Sequence, residues 1–387
     1  MVLPVLVALG GLVKVRYSHT LVDSQIFRLH YRWTSAFCFI SCALVTATSY
    51  VGETIQCLEG QRDAPKPINT YCWISSTFTI NSTGLAAGVG LYDPRYHQKR
   101  VHAYYQWVAS VLFLQGCLFY LPHMIWKFYE GKQVDHLLQD LNKNLFDDDA
   151  EKKKTNIVSY LKLSSGLNIH YSVGYFLCEA LNLVNVVGQM FLMDAFLGGF
   201  FMKYGSKAIS FLAADDAKRN DALLETFPRI TKCIFHTFGA SGAIQKKDVL
   251  CVLPQNIINE KIFLVMWFWF IILTILTILQ LAWRLVVFYS PSLRIRLLEH
   301  RALMNFSPRT EHAVRRMHLG DYCLLDGIGR NLGTLNFKAV LQGYTEASEE
   351  IDDVPSAPSL GAYRTFTTPN EPDTLPRKRP LYQDTTL

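Results

Sequence analysis

The chain has 387 residues and a net charge of +6 spread over both signs, with no Lys/Arg run long enough to hold nucleic acid. Half of the residues are hydrophobic but only 18% are charged, below the roughly 25% of soluble domains. The apolar residues come in blocks, which argues against an ordinary soluble fold and points to membrane spans.

Met1 to Val13 is apolar, and the first positive side chain is Lys14. A signal peptide needs basic residues ahead of its apolar run, so cleavage is not expected, and the stretch is too short to span. Residues 1–32 read instead as an N-terminal cytosolic segment whose apolar start lies at the membrane or folds into a pore mouth.

Four candidate spans follow, at residues 33–51, 104–126, 171–197 and 262–288. The last contains 22 uncharged residues from Ile262 to Trp283. At about 1.5 Å per residue they cross a hydrocarbon core of roughly 30 Å. Aromatic residues such as Trp33, Tyr104, Trp126 and Trp283 cluster near span ends, as interfacial belts do. The pattern predicts an all-α polytopic membrane protein with four transmembrane helices.

Pro122 in the second span removes a backbone donor and should bend the helix, either as a bend fixed by packing or as a hinge. In the third span Glu179, Asn182, Asn185 and Gln189 fall on one side of the helix. Polar groups are costly in hydrocarbon, so this face should look into the bundle or a water-filled space. Interhelical hydrogen bonding is the plain reading, and a role in permeation or gating is the sharper one.

Residues 127–170 should fold, because Val134, Leu137, Leu138, Leu141 and Leu145 recur at helical spacing. The Asp147–Asp149 run followed by Lys152–Lys154 reads as a solvated turn. Residues 289–345 predict a second helical piece. Residues 346–387 carry six of the fifteen prolines among Ser, Thr and acidic residues, and read as a disordered tail.

Four spans put both termini on one side. Basic residues near span ends number eight on that side and nine on the other, so charge does not orient the chain. The cysteines do. Of nine, Cys57 and Cys72 lie in the loop 52–103, and Cys233 and Cys251 in the loop 198–261. An even set in loops on one face fits disulfides in an oxidising compartment. Their spacing does not resemble a paired C-x-x-C zinc site, and no metal or other cofactor is expected. Three pairings are open. Asn81-Ser82-Thr83, a glycosylation sequon, lies on the same face. The remaining cysteines, Cys38, Cys42, Cys117, Cys178 and Cys323, read as buried thiols.

No catalytic constellation emerges, so an enzyme is not expected. Gly327, Gly329 and Gly333 miss dinucleotide-binding spacing and read as a turn. The C-terminal Thr385-Thr386-Leu387 has the hydroxyl and apolar end of a PDZ ligand.

From Leu21 to Gly343 the chain resembles the innexins, the invertebrate gap-junction proteins. The most specific mark is Tyr104-Tyr105-Gln106-Trp107-Val108. Others are Phe27 to Tyr31, Asn69 to Ile74, Pro228 to Cys233, Cys251 to Pro254 and Asn256 to Lys261. Two cysteines per outer loop also match. Tyr322-Cys323 departs from the family, which tends to have a bulkier aromatic pair there.

The resemblance implies a four-helix subunit in the plasma membrane with cytosolic termini. It would join copies of itself or other innexins in a ring, an octamer, around a central pore. Two hemichannels would dock between cells and pass ions and small metabolites by passive diffusion. The resemblance also implies disulfides between the loops, Cys57–Cys251 and Cys72–Cys233. The N-terminal segment would form a funnel at the cytosolic mouth, and Tyr50 to Glu53 would line the outer pore. Asp23 and Glu53 are candidates for acidic rings, with ordinary surface charge as the alternative. A second reading is a pannexin-like hemichannel that releases solutes such as ATP, its docking blocked by a glycan at Asn81. A third is a four-span adhesion or scaffold protein without a pore.

Overall fold

The computed structural model describes residues 22–59, 62–63, 66–80, 89, 99–131, 133–138, 148–213 and 226–352. The N-terminal apolar stretch, Asn81, Leu141, Leu145, Thr385 and Leu387 lie outside the described residues. In chain order the helices are α1 (Gln25–Val51), α2 (Lys66–Ser75), α3 (Val108–Glu130), α4 (Gln133–Leu138), α5 (Asp148–Leu163) and α6 (Ile169–Phe196). Then come α7 (Tyr204–Ala213), α8 (Gln255–Tyr289), α9 (Pro291–Ala302), α10 (Pro308–Arg316), α11 (Leu319–Asn331) and α12 (Thr334–Asp352). The strands are β1 (Gln56–Glu59), β2 (Arg62–Asp63), β3 (Thr77–Ile80), β4 (Lys99–His102), β5 (Ile230–Phe238) and β6 (Ile244–Val252).

Four helices, α1, α3, α6 and α8, are long and apolar enough to cross a membrane. α1 starts well ahead of the expected Trp33, because the Ser24 hydroxyl caps it by accepting the Phe27 N–H. Arg28 and Arg32 therefore ride on its first turns. From Leu29 to Thr34 the helix widens into a π-helical turn, a form often found at functional positions. α8 fastens this turn at two points. Trp269 Nε1 donates to Thr34 Oγ1 at 2.8 Å, and His30 Nε2 lies 2.8 Å from Thr277 Oγ1.

The second span begins at Val108, after a separate 3-10 turn over Tyr104–Gln106, and runs as helix through Pro122. A Cβ on Gly116 would meet the Phe39 ring at 2.8 Å. Only glycine lets α1 and α3 approach this closely. α8 starts at Gln255, ahead of the apolar run, because Gln255, Asn256, Asn259 and Glu260 are buried beneath the loop region. Glu179, Asn182 and Gln189 of α6 are also buried, so the third span's polar face is turned inward.

The two loops on the far side from the termini build one antiparallel sheet in the order β2-β1-β6-β5-β3-β4. This adds to the all-helical expectation. Strands of two to four residues in the first loop are too short to show a period in sequence. The β5–β6 hairpin of the second loop forms the centre, and first-loop strands flank it on both sides.

At the other end of the bundle, helices α4, α5 and α9–α12 share a core around Val134, Leu161, Leu298, Leu325, Phe337 and Leu341. Three expectations change there. Asp148 and Asp149 are not in a turn, because α5 begins at Asp148. Gly327 and Gly329 lie within α11. α12 stays helical to Asp352, past the expected tail boundary at Glu346. Of the single thiols, Cys38 and Cys178 are buried but Cys117 is exposed on α3, a position a weakly polar thiol tolerates on an apolar helix.

Candidate functional site

Cys57 and Cys251 stand directly opposite one another in β1 and β6 and form a disulfide. Cys72 on α2 is bonded to Cys233 on β5. Both bonds join the first loop to the second, across 194 and 161 residues of chain. All four cysteines are buried, in a small core with Ile55, Ile68 and Val249. The sulfurs of Cys57, Cys72 and Cys251 lie within 4.8 Å of one another. As disulfides they offer no thiolates to a metal.

The sequence motifs meet around this core. Asn69 Oδ1 accepts the Cys57 N–H at 3.0 Å, which ties α2 to β1. α2 ends at Ser75, leaving its last carbonyls without helical partners. The Tyr104 to Val108 motif supplies them: Tyr105 Oη donates to Trp73 O at 3.4 Å, and Gln106 Nε2 donates to Trp73 O at 2.5 Å. Trp73 in turn packs on Tyr105, with ring centroids 4.5 Å apart. Those residues thus cap the helix that carries Cys72.

Pro228 to Cys233 and Cys251 to Lys261 are the two feet of the β5–β6 hairpin. Leu253 N donates to Arg229 O at 2.8 Å, Asn256 Nδ2 to Pro228 O at 2.8 Å, and Arg229 Nη2 to Glu260 Oε2 at 3.0 Å. Glu260 is buried, so this pairing locks the hairpin onto the first turns of α8.

A second cluster sits where α1 begins, at the opposite end of the bundle. Arg284 of α8 donates from Nε and Nη2 to the two oxygens of Glu179 on α6, at 3.1 and 3.2 Å. Ser24 Oγ donates to Glu179 Oε1 at 3.1 Å, and Ser24 N to Tyr175 Oη at 2.8 Å. The Arg284 guanidinium lies 5.0 Å from the Tyr175 ring centroid, and Phe27 stacks on Tyr175 at 5.8 Å. One bidentate ion pair therefore holds α6, α8 and the start of α1 together. Sequence reading placed Glu179 on an inward face but missed Arg284, whose only signal is being the first charge after the apolar run.

The pore candidates differ in setting. Asp23 is engaged within the subunit: Tyr31 Oη donates to its Oδ2 at 3.0 Å, and His123 Nδ1 lies 3.5 Å away. Tyr31 and His123 stack at 3.7 Å, covering the carboxylate, and burial raises its pKa above the usual range. Its carboxylate is thus held within the subunit. Tyr50 and Glu53, at the sheet end of α1, are exposed.

Four membrane-length helices beneath a disulfide-stapled sheet define a polytopic membrane protein with a rigid outer face. The chain belongs to the innexin family, whose sequence profile matches residues 23–347. It is similar to innexin inx3 of Drosophila melanogaster, 39% identical over 365 residues and 91% of each chain. Innexin shaking-B of the same organism is 40% identical over 344 residues, covering 86% of this chain and 92% of that one. Innexin inx2 of Schistocerca americana is 39% identical over 342 residues, covering 86% and 94%. Innexins are channel proteins that form oligomeric gap junctions with innexin partners, and this chain is a multi-pass plasma-membrane subunit of that kind.

Proposed function

We propose that the subunit forms an octameric hemichannel with both termini in the cytosol, and that the β5–β6 hairpin is its docking edge. The orientation is supported by disulfides on one face of a four-span chain. The docking edge is supported by how the hairpin outruns its neighbours. β1 reaches only Leu250 to Val252 of β6, and β3 pairs only at Lys232 of β5. Beyond them Tyr71 of α2 packs on Phe235, with ring centroids 5.0 Å apart, and the hairpin's tip carries exposed Phe238 and Ile244. Exposed apolar side chains at such a tip suit burial against a docked copy. Gly242, at φ +79°, makes the tight turn between them.

In paired cells, Phe238→Asp with Ile244→Asp is expected to abolish junctional conductance while leaving the unpaired-membrane current intact. Unchanged junctional conductance would reject the docking edge. Membrane current without any junctional current in the unmodified protein would favour a lone hemichannel that releases solutes such as ATP. Absence of both currents would favour an adhesion protein.

Permeation runs along the sheet end of α1 in this reading. Glu53→Lys is expected to shift the reversal potential in asymmetric salt away from cations. An unchanged reversal potential would return Glu53 to ordinary surface charge. Two features lie outside the described residues. A glycan at Asn81 belongs to the lone-hemichannel reading, whose docking it would block, and would show as glycosidase sensitivity. PDZ capture through Thr385 and Leu387 would be lost on removing Leu387.

A further inference from the structure

We infer that the cavity between the start of α1 and the far end of α8 binds the phosphorylated headgroup of an anionic lipid from the cytosolic leaflet. The choice of leaflet rests on the orientation proposed above. The cavity measures about 370 Å³, within the range of ligand sites. Ser24 forms one wall, Trp283 and Arg284 a second, and Arg301, Asp326 and Arg330 a third.

Charge is unbalanced on the third wall. Arg301 Nη2 lies 2.9 Å from Asp326 Oδ1, and Arg330 Nη2 lies 2.7 Å from Asp326 Oδ2. Two guanidiniums thus share one carboxylate, while Arg284 is matched from behind by Glu179. The Arg301 and Arg330 side chains stay 28% and 29% exposed. A phosphate group supplies the missing charge, and guanidinium is the group best shaped to hold it.

The surroundings select a lipid over a free anion. Leu279, Trp283 and Val286 are exposed along one side of α8, and Trp283 also lines the cavity. Acyl chains can lie along that strip while the headgroup turns inward. A tryptophan at this level matches the membrane interface, and basic pockets between helices on the cytoplasmic side are recurrent headgroup sites. Cys323 lines the cavity too, but burial pushes its thiol up to about 12, so the site acts by charge and not by thiol chemistry. A bound headgroup would lie beside Ser24, where α1 begins. Membrane composition would then bear on the N-terminal segment directly.

The test uses full-length protein in phosphatidylcholine vesicles carrying labelled phosphatidylinositol bisphosphate, read by energy transfer from tryptophan. The variant R301Q/D326N/R330Q removes both guanidiniums without stranding a carboxylate. The variant removes one net positive charge, so affinity is expected to fall roughly fivefold, from about 1 kcal/mol per basic charge at an anionic surface. R315Q, exposed on α10 and outside the cavity, should bind as the unmodified protein does. Equal affinity in the triple variant, or an equal loss in R315Q, overturns the site. Soluble inositol trisphosphate that binds as tightly as the lipid overturns the lipid source. If the triple variant unfolds, R330K replaces it: weaker binding with charge kept supports bidentate capture, and unchanged binding counts against it. Binding is read without current, so a bound lipid in a chain that passes no current would fail the channel reading alone.

Discussion

Cys233→Ser is expected to cost more function than Cys72→Ser and Cys233→Ser together. Each version loses one inter-loop disulfide, worth about 2–5 kcal/mol in a domain of this kind. The single variant also leaves a thiol on Cys72, within 4.8 Å of the Cys57 and Cys251 sulfurs. As its thiolate, Cys72 attacks the Cys57 sulfur, a Cys57–Cys72 bond forms, and Cys251 leaves as thiolate. The exchange needs no added oxidant, and it deletes the last covalent link between the loops. The double variant has no attacking sulfur and keeps Cys57–Cys251. Junctional conductance should therefore be abolished in the single variant and partly retained in the double. Peptide mapping without reductant should find Cys57 joined to Cys72 only in the single variant. Equal conductance in the two, or no such peptide, would sink the exchange.

Arg284→Gln is expected to remove most of the subunit from the cell surface. It strands Glu179, whose side chain is 4% exposed. Breaking one side of a buried pair costs about 3–5 kcal/mol. Glu179→Gln with Arg284→Gln leaves no unpaired charge and should recover most surface delivery, measured by surface biotinylation. Recovery of gating is not expected. Ser24 then faces a neutral amide instead of a carboxylate, so the start of α1 is held less firmly. Voltage dependence of the junctional current should shift in the double variant. If the double variant is as poorly delivered as the single, the ion pair is needed for more than charge balance. If delivery and gating both return to normal, the pair does not position α1.

What could be read from the residues followed from period and block length. The spans were legible because an uncharged run near membrane length rarely suits anything but a bilayer. Their ends were not: Arg28 and Arg32 lie inside α1, and buried polar residues extend α8 back to Gln255. Helix caps and tertiary burial set those ends, not hydropathy. The inward face of α6 was legible from Glu179, Asn182 and Gln189, because their spacing repeats with the helix. Its partner Arg284 is 105 residues away, and no local pattern links them. The sheet left the weakest trace. Its first-loop strands are too short for a period, and their partners lie in another loop. The motif residues were legible as a family mark before their task was. Only the fold shows Tyr105 and Gln106 capping the helix that carries Cys72.

The strand order also fixes a timetable for synthesis. β1 and β3 are separated in the sheet by β6 and β5, so the first loop has no central strands until the second has been translocated. The first-loop strands β1 and β3 must wait without those partners while two more spans are made and inserted. The outer face is consequently completed only after Val252 has crossed, and its closure reports that the first three spans are threaded correctly, before α9–α12 complete the opposite core.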